Sequence, residues 1–511
     1  MKNKYIQLCL SAVLVFSAVS CGKDYLTVDI KGKELTQNFY QTEEEIFQGL
    51  VAVYDVLGWN GTNGWTMLQG LLNAASDDCY AGGSDASDQP SWVAWDQFTL
   101  RPDLGPQEGL WNKNFAGIRR ANLILEKLDE APSSVSEPFK KRVAAEAKFL
   151  RAWFYFDLVR LFGNVPLYTR QVSVEDLNNI KQAKPAEIYA QIENDLRDAY
   201  NTFELPETVP PEEVGRITHG AVTALWGKVI LFQNDESRML EAADLFMEVI
   251  NSGLYFLEPN YGDIFKRDHE WGPESIFEIQ YSDNKPGDWG CCFASGPNAN
   301  ATEGNYNVQF YGMRDYVGPV YAPGWSFCPV TPDLVEFMQN DPRFEYTIID
   351  GKKLKELSGA SYTEGFQNTD YFIKKYAPID ANKANDGVIP LEWGDNERVI
   401  RLADVYLMAA EALVRGGGDE ALARSYLNKV RVRVALQPYP GSFTGDALLD
   451  AIYKERRLEL ATEGHRFWDL VRTGRAAEVL ENYQDGVHQW LPIPQIEIDL
   501  TQGQLVQNPG Y

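Results

Sequence analysis

The chain of 511 residues is 44% apolar and 23% charged, enough hydrophobic material for a packed interior, which excludes wholesale disorder. Its formal net charge of -26 excludes a nucleic-acid binder, which needs clustered Lys and Arg, and equally a polybasic grip on anionic lipid. Four scattered histidines do not match the usual zinc-hydrolase spacings, so no metal site is read from the sequence.

Residues 1–20 read as a secretory signal. Lys2 and Lys4 form a basic start, and Ile6 to Val19 is an apolar run broken by Gln7 and two serines. It ends Ala18-Val19-Ser20-Cys21-Gly22, similar to the lipobox of bacterial lipoproteins, although Ala18 stands where leucine is usual. Cys21 is therefore the expected lipidation site. The anchor is also the expected hold on the membrane, since no later stretch approaches spanning length. Lys23-Asp24 resembles a surface-export signal, which points to the outer membrane and the cell exterior. Cys79, Cys291, Cys292 and Cys328 show no C-x-x-C spacing and read as buried or loop thiols with at most one bridge.

Helical periodicity dominates the chain beyond the signal. Within residues 39–57, Ile46, Leu50 and Val53 fall at helical spacing, and residues 110–128 repeat the pattern. Ser136-Glu137-Pro138 opens a helix, with Ser136 as cap, that runs through Val143, Leu150, Phe154 and Leu158 to a stop at Gly163. Residues 217–232 and 239–250 form a pair in which Ala242-x-x-x-Phe246 matches a fragment of the tetratricopeptide pattern. Residues 399–414 and 421–434 form another across Gly416-Gly417-Gly418, and 447–460 add a further helix. Such hairpins must stack to bury their faces. The expectation is one mainly α domain over residues 21–511. Its helical body spans about residues 36–58, 108–252 and 397–470.

Loop-rich regions occupy about residues 59–107 and 255–395, and they are the expected ligand-binding half. They hold Trp59, Trp65, Trp92, Trp95, Trp271, Trp289 and Trp325 among Gly, Pro, Asn and Asp, whereas Trp111, Trp153 and Trp226 sit on helices and read as packing. A flat indole covers the apolar face of a pyranose while Asn, Asp and backbone groups bond its hydroxyls, so rings on loops suit a sugar ligand. The competing reading is a secreted glycoside hydrolase, which needs two carboxyl groups at a defined separation. Asp77-Asp78 is the candidate pair, but adjacent side chains diverge, and nucleophile-elbow, P-loop and zincin patterns are absent. The residues favour a binding protein, not an enzyme, with no cofactor. Calcium held by the Asp-rich loop 77–88 is left open.

The chain resembles the SusD/RagB lipoproteins. The likeness runs through Cys21, Ala145-Glu146-Ala147-Lys148-Phe149-Leu150-Arg151-Ala152, Asp157-Leu158-Val159-Arg160-Leu161-Phe162-Gly163 and Arg401-Leu402-Ala403-Asp404-Val405-Tyr406-Leu407. It continues in Glu455-Arg456-Arg457-Leu458-Glu459-Leu460, Gly464-His465-Arg466-Phe467-Trp468-Asp469-Leu470 and Gln507-Asn508-Pro509-Gly510-Tyr511. The resemblance implies tetratricopeptide-like hairpins carrying a loop-rich binding half. It also implies a surface lipoprotein that binds oligosaccharide and delivers it uncleaved to a TonB-dependent, SusC-like β-barrel transporter; some relatives take up peptides instead. Carried over from the family, Gly324-Trp325-Ser326-Phe327 before Thr331-Pro332 supplies one aromatic platform. Trp289 or Tyr281 supplies a second, and Tyr80, Trp92 or Trp95 a third, with Trp65 in the same loop.

Overall fold

The computed structural model describes residues 39–62, 64–177, 179–284, 289 and 303–511; the expected signal peptide, Cys21, Cys291 and Cys292 lie outside the described residues. The architecture is mainly α. Its long helices are α1 (Glu43–Tyr54), α2 (Gln107–Asp129), α3 (Glu137–Phe162), α4 (Pro185–Tyr200), α5 (His219–Gln233), α6 (Met239–Asn251), α7 (Leu402–Arg415), α8 (Glu420–Arg433) and α9 (Gly445–Leu460). Each packs on the next as tetratricopeptide-like hairpins, and α6 packs on α7 although a long stretch of chain separates them. The helical stack is therefore interrupted in sequence and continuous in space.

Local chemistry explains the helix ends. Thr42 and Glu45 form a reciprocal capping box at α1, whose first turn carries three glutamates that complement the helix dipole. Ser136 is the N-cap residue of α3, but its side chain bonds no helix amide: its amide and hydroxyl both donate to Glu43 of α1, at 3.0 and 2.7 Å. α3 ends at Gly163 with φ 67°, where a Cβ would lie 2.7 Å from the Trp490 ring. Phe246 of α6 packs against Gly227 of α5, so the Ala242-x-x-x-Phe246 fragment marks a close helix approach. Helix α4 was not expected from the sequence, although its Pro185 start and buried Ile188, Ile192, Leu196 and Ala199 make a regular apolar stripe. Trp111 is buried, and the part-buried Trp153 and Trp226 pack on Phe277 and Tyr200, as expected of helical tryptophans.

A short pair of strands, β1 (Val165–Pro166) and β2 (Gln182–Ala183), links α3 to α4. The long insertion between α6 and α7 begins with β3 (Ser275–Ile279) and ends with β6 (Glu397–Arg401). These pair antiparallel, from Ser275 opposite Arg401 to Ile279 opposite Glu397, with an irregular register. The insertion is thus clamped at its two ends. Inside it, β4 (Ile348–Asp350) pairs with β5 (Tyr371–Ile373), with short helices between. Cys79 and Cys328 are free, buried thiols.

The clamp is welded to the body by buried charge. Arg401, at the end of β6, donates to Glu274 at 2.8 Å, Glu459 at 2.6 Å and Glu463 at 2.8 and 2.9 Å. Arg343 from the insertion reaches Glu455 at 2.8 Å and Glu459 at 2.9 Å, both on α9. Arg433 of α8 bonds Glu274 and Glu459, and Lys375 bonds Glu463 at 2.6 Å. With Asp341 on Arg343 at 2.8 Å and Arg431 on Glu455 at 3.0 Å, five cations meet five carboxylates, so the cluster is close to neutral. Burial pushes the Glu459 pKa up, but Arg433, Arg401 and Arg343 outweigh it and hold the carboxyl well below the usual range.

Removing one member of such a cluster strands the others. Glu459→Ala should cost about 3 to 5 kcal/mol in a urea or thermal melt. Because the folded pKa is depressed, the stabilisation is complete above the ordinary glutamate value of 4.5 and is lost as pH falls below it. The wild type should therefore lose stability on acidification more steeply than the variant.

Candidate functional site

One exposed tryptophan heads a layered stack of rings. Trp289 is 48% exposed and lies nearly parallel to Trp325, with centroids 6.2 Å apart and planes 24° from parallel. Beneath Trp325, Trp65 and Phe310 meet it edge-on at 5.6 and 5.2 Å. A third layer, Trp92 and Phe327, packs on Phe310 at 5.1 and 4.5 Å. The offset indole pair is a broad apolar face, and what lies under it is rigid core.

The backbone under Trp325 is equally fixed. Its amide donates to the Gln309 carbonyl at 3.0 Å, and its carbonyl accepts from the Arg314 guanidinium at 2.9 Å. Arg314 also reaches Asp88 at 3.3 Å, and Asp88 accepts from the Ser84 amide and hydroxyl. This strap ties loop 82–88 to the ring stack. Ser326 and Cys328 adopt φ of 58° and 54°, a left-handed conformation rare outside glycine, and it persists because neighbours over-determine it. Gly83 donates to the Ser326 carbonyl, and at Gly82 a Cβ would come 2.4 Å from that same oxygen. After the turn, Thr331 caps the short helix Pro332–Met338, accepting from the Leu334 amide at 3.3 Å.

The structure brings Trp325 and Trp289 together, with Trp65 as the buried support. Trp92 and Trp95 are corrected from platform to core, since both are almost fully buried. They lie three residues apart on the short helix Pro90–Asp96, so they share its inner face. Trp92 packs on Phe310 and Phe327, and Trp95 on Phe467. Tyr281 does not join the stack. It is part-buried, with its amide on Asn396 and its hydroxyl 3.5 Å from Asn60, and burial raises its phenol well above the usual value. It lines a cavity of about 90 Å³ beside Lys113 and Glu397 and also an open groove of about 960 Å³ with Trp59 and Arg120. Tyr80 is part-exposed on the segment that pairs with Pro329, and no ring contact joins it to the stack among the described residues.

Asp77 and Asp78, the hydrolase pair of the sequence reading, are ion-pair partners instead. Arg457 bonds Asp77 at 2.9 Å and Asp78 at 3.0 Å, and Arg466 bonds Asp77 at 2.7 Å. Burial lifts Asp96 to a pKa of about 6, but its Oδ2 accepts from the Ala81 amide and the Gln367 side chain, which makes it a staple between loops. Asp85 accepts from Ser84 and Ser87. Sequence reasoning missed Phe310 and Arg314, and it noted Asp88 only as part of the Asp-rich loop 77–88, where it pairs with Arg314. Phe310 was readable as an i, i+4 partner of Tyr306 on the short helix Tyr306–Tyr311, whereas Arg314 carries no pattern.

Comparison with known proteins places these features. The SusD family model matches residues 273–511, and one described as starch-binding associating with outer membrane matches residues 27–231. A solved structure described as a laminarin binding SusD-like protein is 41% identical, with a TM-score of 0.84 over 92% of this chain and 100% of that one. Surface glycan-binding protein A from Bacteroides thetaiotaomicron, solved in complex with laminarihexaose, is 31% identical, with a TM-score of 0.82 over 91% and 99%. SusD-like protein P25 of Formosa agariphila is 26% identical over 96% of this chain and 95% of its own. Among the described residues no helix is long and apolar enough to cross a membrane.

The ion-paired aspartates yield a test. Asp77→Ala should lower stability by about 3 kcal/mol in a urea melt, because Arg466 loses its carboxylate. Oligosaccharides incubated with the wild type should come back uncut. Release of shorter sugars by the wild type, lost in Asp77→Ala, would reinstate the hydrolase reading.

Proposed function

The chain belongs to the SusD family, and on that premise we propose that it binds a laminarin-type β-glucan on the Trp289–Trp325 pair and passes it on uncleaved. The observation that carries this reading is the near-parallel indole pair, half-exposed outside and heading a three-layer stack of rings. A braced platform loses little entropy when a sugar docks, which is where a binding hot spot arises. The choice of glucan is supported by the 41% and 31% identical neighbours, one described as laminarin binding and the other solved with laminarihexaose. Catalysis is not part of the proposal, because the candidate acid pair is neutralised by arginines.

The cellular setting belongs to the same proposal. Cys21 is lipidated, the protein sits on the outer membrane facing outward, and a TonB-dependent β-barrel takes the glucan from it. The matched description "associating with outer membrane" supports the location. Detergent extracts of the membrane should yield this protein together with such a transporter; consistent recovery alone would count against delivery.

The site itself is tested by calorimetry with laminarihexaose. Trp289→Ala should weaken binding about thirtyfold, the equivalent of about 2 kcal/mol, with an unchanged melting temperature because the ring is half-exposed. Trp325→Ala should weaken it as much and also melt a few degrees lower, since Trp65 and Phe310 lose their cover. Wild-type affinity in Trp289→Ala, or a preference for maltohexaose, would sink the assignment.

A further inference from the structure

A second groove, of about 740 Å³, opens elsewhere in the insertion, between the turn after Asn260, Tyr346 and the segment that follows β5. That volume falls in the usual range for small-molecule sites, roughly 300 to 1,000 Å³. Its wall holds a ring in an unusual setting. One edge of the Tyr346 ring is seated on Gly262, where a Cβ would come 2.3 and 2.4 Å from two of its carbons. Tyr261 meets it edge-on with centroids 6.1 Å apart. The ring is therefore braced, yet the residue remains 41% exposed. Only glycine at position 262 permits that seat.

Polar groups around the ring are incompletely committed. Asp395 accepts from the Asn382 amide nitrogen through Oδ1 at 3.0 Å, whereas its Oδ2 is shielded from solvent and has no hydrogen-bond partner among the described residues. Asp395 lines the groove, and its Oδ1 keeps a second lone pair beside the Asn382 bond, so this oxygen, not the shielded Oδ2, is the acceptor a ligand hydroxyl can meet. Lys374 sits 5.9 Å from the Tyr346 centroid and, among the described residues, donates to the Glu345 carbonyl alone, which leaves donors on its ammonium group. A braced aromatic face beside an acceptor and a donor is the arrangement that recognises a pyranose: apolar C–H groups over the ring, hydroxyls at its rim.

We propose that this groove is a second saccharide subsite, in which a hexose of the same glucan stacks on Tyr346 and donates a hydroxyl hydrogen bond to Asp395. The proposal rests on the glucan-binding reading above, and the variants separate the two. Native mass spectrometry and calorimetry with laminarihexaose should find two molecules bound to the wild type. Tyr346→Ala should bind one, with the affinity of the Trp289–Trp325 site unchanged. Asp395→Asn should weaken the second event about tenfold, and Tyr346→Phe should keep both. Should Tyr346→Ala not fold, Tyr346→Leu removes the aromatic face while filling the seat on Gly262. A single equivalent on the wild type, lost in Trp289→Ala and untouched by the Tyr346 and Asp395 variants, overturns this proposal and leaves the first site standing. Two equivalents unaffected by Trp289→Ala, with one lost in Tyr346→Ala, would retain this groove and overturn the first assignment. No binding to the wild type removes both.

Discussion

Charge buried where the insertion meets the helical body is the constraint on which the rest depends. Arg401 stands where β6 runs into α7, and its partners come from before β3, from α9 and from just beyond it. A guanidinium there has no water to fall back on, so all of those carboxylates must arrive together. Satisfying it sets the angle at which the loop-rich half leaves the stack. Similar pins recur along the chain: Arg151 of α3 on Asp195 of α4, Arg456 of α9 on Asp404 of α7, and Arg160 between Asp157 and the face of Trp468. Asn508, near the end of the chain, bonds the carbonyls of Phe162 and Leu491. Arg151, Asp157, Arg160, Arg401, Asp404, Arg456, Glu459 and Asn508 lie in the segments that carry the family likeness, and what they do here is hold the scaffold.

The ring stack shows how that scaffold makes a surface residue stiff. Trp289 and Trp325 present apolar area that a free loop would fold away, and each underlying layer removes a way for them to do so. Strain contributes as well. Two non-glycine residues in left-handed conformation beside Trp325 cost energy that the hydrogen bond from Gly83 and the Arg314 strap offset. The position of the ring is thus determined from both the side-chain and the backbone direction.

How much could be read without coordinates depended on whether the information was local. Helix periodicity in α1 to α3 and α5 to α9 is local and was legible, as was the Gly163 stop. The loops behaved differently. Trp92 and Trp95 look like exposed rings in a Gly- and Asp-rich stretch, and only the short helix that Pro90 starts turns both inward. The surroundings of Tyr281 include Asn60 and Asn396, both remote in sequence. Asp77 and Asp78 read as a candidate acid pair because the two arginines that neutralise them lie some 380 residues further on. The turn that holds Trp325 carried a local signal, because Gly324 and the Thr331-Pro332 helix start lie close to it.

The interrupted stack also bears on the order in which the molecule can assemble. Helices α1 to α6 contact near neighbours in sequence and can associate early, but the face of α6 that packs on α7 is covered only once the chain beyond residue 401 has been made and has returned. Until then a strip of apolar surface is bare, and the insertion between α6 and α7 hangs as an open loop with its ends unjoined. Loop closure of that length is slow, and a bare helix face is prone to mispairing with other chains. A protein built this way gains an insertion that can vary without disturbing the stack, and in exchange its folding is vulnerable until the returning strand β6 and helix α7 close the gap.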